Sequence, residues 1–192
     1  MLAYQQKHMH DALAAAEAGR RSHASRNDAL FRSLAGARLA GILAAVGEDT
    51  TALRALANAE KAYERADMNY GHPTWMSFFD RAELNGLAAL VMSRLGKHAE
   101  AEARLHHTLA LLRPDFSRNR WYYSMNLALA QLAQGEADEA VATALPLVPA
   151  AGEAPLAGRN RKLLAQFDRG LRGMAAGSRV VIDWQQHIAE GD

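Results

Sequence analysis

The chain has 192 residues, with 22 lysines and arginines against 21 aspartates and glutamates, a net charge of +1, and no cysteine. That balance gives no general pull toward nucleic acid, and the missing thiols exclude disulfides, thiol catalysis and Cys-ligated zinc. Hydrophobic residues make up 49% of the chain, enough for a sizeable core, and the helix formers Ala, Leu, Glu and Arg outweigh the β-branched residues that sheets prefer.

Apolar periodicity and breakers predict helices over about 2–21, 27–46, 50–67, 74–95, 98–113, 118–134 and 137–149. The first begins in "MLAYQQKHMHDALAAAEAG", which lacks the compact apolar segment of a signal peptide. "DMNYGHP" breaks the chain through Gly71 and Pro73, and Thr74 is expected to cap the helix that follows. "RPDFSRN" breaks it again at Pro114, with Ser117 as the next cap. "PLVPAAGEAPLAG" is a linker with three prolines. A last helix over about 157–175 is expected to cap the stack, and the tail "GSRVVIDWQQHIAEGD" to pack back on the body through Trp184. No apolar run nears the roughly 18 residues needed to span a bilayer, so a cytoplasmic protein is expected, with no membrane partner.

Three glycines end apolar segments: Gly47 in "LAAVGED", Gly96 in "MSRLGKH" and Gly135 in "LAQGEAD". Aligned on them, the segments share Leu39-Ala40, Ala88-Ala89 and Leu127-Ala128 upstream, and Ala52, Ala101 and Ala140 downstream. Leu56, Leu105 and Ala144 follow, then Ala59, Thr108 and Leu147. This is the two-helix pattern of a tetratricopeptide repeat, in which a glycine turns the chain and small residues let two helices approach. Gln131 stands where a bulky apolar side chain is expected, and Thr108 where a small apolar one is. The glycines lie 49 and 39 residues apart, against about 34 for the standard repeat. The segments read as a half repeat at 1–26, repeats at about 27–70, 74–114 and 118–149, and a linker, capping helix and tail at 150–192.

Eight of the thirteen aromatic residues fall in two clusters: Tyr70, Trp75, Phe78 and Phe79, then Phe116, Trp121, Tyr122 and Tyr123. Both clusters are expected at the N-terminal ends of first helices, which line the concave face of a solenoid. Adjacent pairs point in different directions, and the spacing puts Phe79, Glu83, Tyr122 and Asn126 on the groove side. Asp80 and Glu83 lie at i, i+3, suited to a cationic group; acid–base work needs a pocket and a shifted pKa that the sequence does not show. His106 and His107 point about 100° apart and make no chelating pair, and His8 and His10 lack the i, i+4 spacing. The basic run "GRNRKLLAQFDRGLRG" reads as the solvated face of the capping helix.

The run "WMSFFDRAELNGLAALVMSRLGKHAEAEARL" with "LLRPDFSRNRWYYSMNLALAQLAQGEADEAV" resembles the tetratricopeptide C-terminal region of actinomycete helix-turn-helix regulators of the XRE type. The matching positions are Trp75, Phe78, Phe79, Asp80, Ala82, Glu83 and Leu84, then Leu95, Gly96 and Ala101, then Arg118 to Tyr123 with Gly135. The resemblance covers roughly residues 25 to 175 and is specific at the Trp75–Leu84 segment. It implies the sensory and assembly half of a regulator. DNA would then be bound only through a helix-turn-helix domain, and the first 70 residues read as repeat helices instead.

The expected fold is all-α, a short right-handed tetratricopeptide α-solenoid with a capping helix. The expected function is non-enzymatic, with no cofactor and no metal: a regulatory domain that binds a peptide, small effector or partner protein in its concave groove and supports a homodimer. In that groove Trp75, Phe79 and Tyr122 would give apolar contact, Asp80 and Glu83 would hold a cationic group, and Arg118 and Asn126 would donate hydrogen bonds. The alternative is a stand-alone structural adaptor that binds a protein through its convex face or capping helix.

Overall fold

The computed structural model describes residues 8–69, 71–149, 156–174 and 178–191, with side chains to Ile188. The first seven residues, Tyr70, residues 150–155 of the linker, residues 175–177 and the last residue lie outside the described residues. The chain is all-α and divides into two compact units, Met1–Lys97 and His98–Asp192. The division falls at the second of the three glycine turns.

In the first unit, α1 (Met9–Arg21), the short α2 (His23–Asn27), α3 (Ala29–Ala45), α4 (Asp49–Glu64) and α5 (Arg81–Arg94) follow one another. Helices α1 and α4 both pack on α3, and α5 packs on α3 and α4. The core joins Leu30, Leu34, Ala37, Ala59, Tyr63, Met76, Phe79 and Leu84. Asp28 starts α3: its Oδ1 accepts from the backbone N–H of Leu30 at 2.8 Å and of Phe31 at 3.3 Å. Its other oxygen lies 3.0 Å from His72 Nδ1, and His72 Nε2 lies 3.0 Å from the Asp67 carbonyl.

The helix expected from Thr74 does not start there. Residues Thr74–Met76 make one 3-10 turn, and α5 begins at Arg81. Asp80 is extended, with φ −119° and ψ −171°, and its side chain accepts from Glu83 N at 2.9 Å. An aspartate three residues before a glutamate is a stronger helix start than Thr74, and an extended cap stops the helix from running back through the aromatics.

In the second unit, α6 (His98–Leu111), α7 (Ser117–Gln134), α8 (Ala137–Ala144), α9 (Gly158–Met174) and α10 (Arg179–Gly191) are described. Helix α7 packs on α6, α8 and α9, and α10 packs on α8. The helix expected to reach residue 149 ends at Ala144 and tightens into a 3-10 turn, Leu145–Leu147, because Pro146 has no N–H to continue it. The tail is helical. Trp184 is fully buried, its ring edge-on to Phe167 with centroids 4.9 Å apart, and its indole N–H donates to Asp168 Oδ1 at 3.2 Å.

The three glycine turns repeat one hydrogen-bond pattern. Gly47, Gly96 and Gly135 are left-handed, at φ +83°, +72° and +89°. The residue after each glycine donates its N–H back to the same helix position: Glu48 to Leu43 O at 2.9 Å, Lys97 to Met92 O at 2.9 Å, and Glu136 to Gln131 O at 3.1 Å. This closes the orphan carbonyls at a helix end. The alanines five residues on, Ala52, Ala101 and Ala140, are fully buried. Thr108, polar at a small apolar position, turns its hydroxyl to Arg104 O at 2.8 Å within its own helix. The helix-pair packing is consistent with a helical-repeat arrangement. Among the described residues no helix is long and apolar enough to cross a membrane.

Candidate functional site

The seven residues singled out by sequence divide between the units. In the first, Trp75 is 58% exposed, its ring edge-on to Phe31 at 5.1 Å. Phe79, expected on the groove side, is instead in the core at 3% exposure, 5.9 Å from the Tyr63 ring; its neighbour Phe78 is the half-buried member of the pair. The start of α5 at Arg81 turns Phe79 inward, a direction that counting back along a longer helix does not give. The Asp80 carboxylate is committed to capping α5, with Glu83 half-buried in the first turn.

In the second unit, Arg118 is exposed in the first turn of α7. Tyr122 is half-buried, with the Arg159 guanidinium 3.9 Å above its ring. Asn126 Nδ2 donates to Tyr122 O at 2.7 Å, within the same helix. Beside α5, burial raises the Tyr63 phenol above its ordinary pKa; the Arg81 guanidinium, 4.7 Å over the ring, pulls it down, and Asp80 pushes it up. No group of three or more His, Asp or Glu that could hold a metal ion occurs among the described residues.

A different feature of the first unit has the form of a binding site. A cleft of about 770 Å³ opens between α1, α2, α3 and α4. The floor is apolar and mostly buried: Gly36, Leu39 and Leu43 of α3 and Ala59 and Ala62 of α4 are buried where the two helices pack, and Ala55 is half-buried. Helices α3 and α4 approach closely here, since a Cβ on Gly36 would lie 3.1 Å from Ala59 Cβ. Six cations line the cleft: Arg20, Arg26, Arg32, Arg54, Lys61 and Arg65. One carboxylate joins them, Glu17, which already pairs with Arg21 at 2.7 Å.

The six cations fall into two groups. Arg32 donates Nε to Ser25 O at 2.9 Å and Nη2 to Arg26 O at 2.6 Å, and Arg26 donates Nη1 to Arg21 O at 2.9 Å. Neutral carbonyls thus fix these guanidiniums without cancelling their charge. Arg20, Arg54, Lys61 and Arg65 make no side-chain hydrogen bond or ion pair among the described residues. All six are exposed.

None of the seven sequence-derived residues lines this cleft. Part of it carries a sequence signal. Arg54, Asn58, Lys61 and Arg65 recur at helical spacing, nearly opposite the buried Ala52, Leu56, Ala59 and Tyr63. Arg20, Arg26 and Arg32 reach the same place only because α1, α2 and α3 pack together, which no spacing announces. Comparison with protein-family models, with curated proteins and with solved structures gave no match.

Proposed function

We propose that the chain is a regulatory interaction module of helix pairs and that it binds a polypeptide partner in the cleft of its first unit. The observation that carries this reading is the cleft itself: an apolar floor rimmed by six cations, only one carboxylate among the lining residues. A surface that served only for solubility would intersperse both signs. An apolar floor within a charged rim is the general layout of a protein-binding patch. The cleft is lined from α1, α2, α3 and α4 and holds none of the residues expected in the concave groove, which favours the partner surface of the adaptor reading. The resemblance of the Trp75–Leu84 segment to helix-turn-helix regulators supports the regulatory part.

Asn58 lines the cleft and is exposed, so Asn58→Trp fills the site without entering the core. The partner is recovered from the source cells by crosslinking to the full chain, purified, and titrated against both proteins. The expected result is at least about tenfold weaker binding to Asn58→Trp, with helical spectrum and melting unchanged. Equal affinity for the two proteins overturns the reading.

A further inference from the structure

Building on that reading of the cleft, we infer that its occupant is an acidic amphipathic helix, whose apolar stripe lies on the α3–α4 floor and whose carboxylates meet the arginine and lysine rim. Four observations converge on this chemistry.

The charge is local. The whole chain carries a net +1, yet this one cleft gathers six cations, and its single carboxylate is already paired. The partner's matching charge is therefore negative.

The cations are arranged to receive carboxylates. Arg26 and Arg32 are held by backbone carbonyls, so their orientation is set before any ligand arrives. A guanidinium fixed in this way loses little freedom on pairing, and its planar fork matches a carboxylate.

The site is long. Arg54, Asn58, Lys61 and Arg65 run down one side of α4 and its C-cap over twelve residues, about 16 Å at the helical rise. That is three turns of helix, the length over which a bound helix presents i, i+4 and i+7 anchors. A compact anion would engage only a fraction of this row.

The floor is aliphatic. Its residues are Gly, Ala and Leu, and no aromatic side chain lines the cleft. Single-stranded nucleic acid needs aromatic platforms on which bases stack, and this cleft offers none. The buried floor offers a bound helix only the edges of Leu39, Leu43 and Ala55, flanked by the alkyl stems of the arginines, so the charged rim carries most of the contact.

The test uses the full chain and a synthetic helix of about fourteen residues, with leucines along one stripe and glutamates flanking it. Binding is read by fluorescence anisotropy, and its location by amide shifts of α3 and α4. The acidic helix is expected to bind at the cleft, more weakly as salt rises. The same helix with glutamine for every glutamate is expected to bind at least about tenfold more weakly. A chain carrying Arg54→Glu and Lys61→Glu, both exposed positions, is expected to bind the acidic helix at least about tenfold more weakly and to swap part of its preference toward the lysine counterpart, four arginines remaining in the rim. That swap reads charge pairing directly and would not follow from loss of fold.

Equal binding of the glutamine helix overturns the acidic assignment while leaving the cleft as a helix site. Tighter binding of a dodecameric oligothymidylate at the same amides overturns it in favour of nucleic acid. If no helix binds while Asn58→Trp still loses its cellular partner, this inference fails and the interaction reading stands. If Asn58→Trp keeps that partner, the interaction reading itself fails.

Discussion

Gln131 Nε2 donates to Glu102 Oε1 at 3.1 Å, tying α7 to α6 through a polar pair at a position where the repeat pattern calls for an apolar side chain. Gln134 Nε2 donates to the other oxygen of Glu102 at 2.6 Å, so one carboxylate holds two amides of the neighbouring helix. Gln131 is 6% exposed, and its Oε1 has no hydrogen-bond partner. Removing the carboxylate would leave the buried Gln131 amide N–H unpaired, whereas replacing the glutamine would remove an orphan acceptor. We predict that Glu102→Ala destabilises the protein by about 2 kcal/mol and that Gln131→Leu changes stability by less than about 1 kcal/mol. Urea denaturation of both variants checks this; equal losses would contradict it.

At Gly135 the turn needs φ +89°, and an added Cβ would meet nothing within 4 Å. The cost of a side chain there is therefore backbone strain alone. Gly135→Ala is predicted to lose about 1–2 kcal/mol, and Gly135→Asn less, since asparagine tolerates the left-handed region. Thermal melts of the pair would read the difference, and an alanine variant as stable as the parent would rule the explanation out.

These turns were the most legible part of the chain. Three glycines with a shared alanine five residues later define helix pairs, because only a left-handed residue lets the Schellman bonds form. The start of α5 is hard to read because Pro73 and Thr74 form a credible start, while the decisive signal, Asp80 with Glu83, lies within the helix expected from Thr74. The cleft was the least legible. A row on α4 can be read by periodicity, but its meeting with Arg20, Arg26 and Arg32 depends on how three other elements pack.

Phe79 and Trp75 belong to one aromatic cluster yet differ in burial, 3% against 58%. We predict a loss of about 3–4 kcal/mol for Phe79→Ala, which opens a cavity beside Tyr63, and under about 1 kcal/mol for Trp75→Ala. Comparable losses in denaturant titrations would place both rings in the core and refute the difference.

Trp184 anchors the C-terminal helix in the second unit, fully buried against Phe167. Trp184→Ala is predicted to cost about 3–5 kcal/mol, and Trp184→Phe less, because it keeps the ring contact and loses only the bond to Asp168. Near-ultraviolet circular dichroism with denaturant titration tests the order, which a larger loss in the phenylalanine variant would reverse.

Tyr63 supplies a pH prediction. Burial holds its phenol protonated to higher pH than in the unfolded chain. A folded pKa above the unfolded one gives stability that is complete below the unfolded value, about 10, and lost as pH rises through the folded value. Stability should therefore fall in alkali above about pH 10, and Tyr63→Phe should flatten that part of the fall. An unchanged alkaline slope in the phenylalanine variant would show that other groups cause it.

Asp28 stands at the start of α3 and also touches His72, 44 residues away in sequence. One carboxylate therefore couples a local event to a distant one. If the segment around His72 swings away, the first turn of α3 loses a partner of its cap; if that turn frays, the segment loses an anchor. Opening of either therefore removes one hydrogen bond from the other, which couples the two in hydrogen exchange by about 1 kcal/mol although they belong to separate elements. Arg32, in the same first turns of α3, lines the basic cleft, and so the shape of that cleft is tied to a contact outside it.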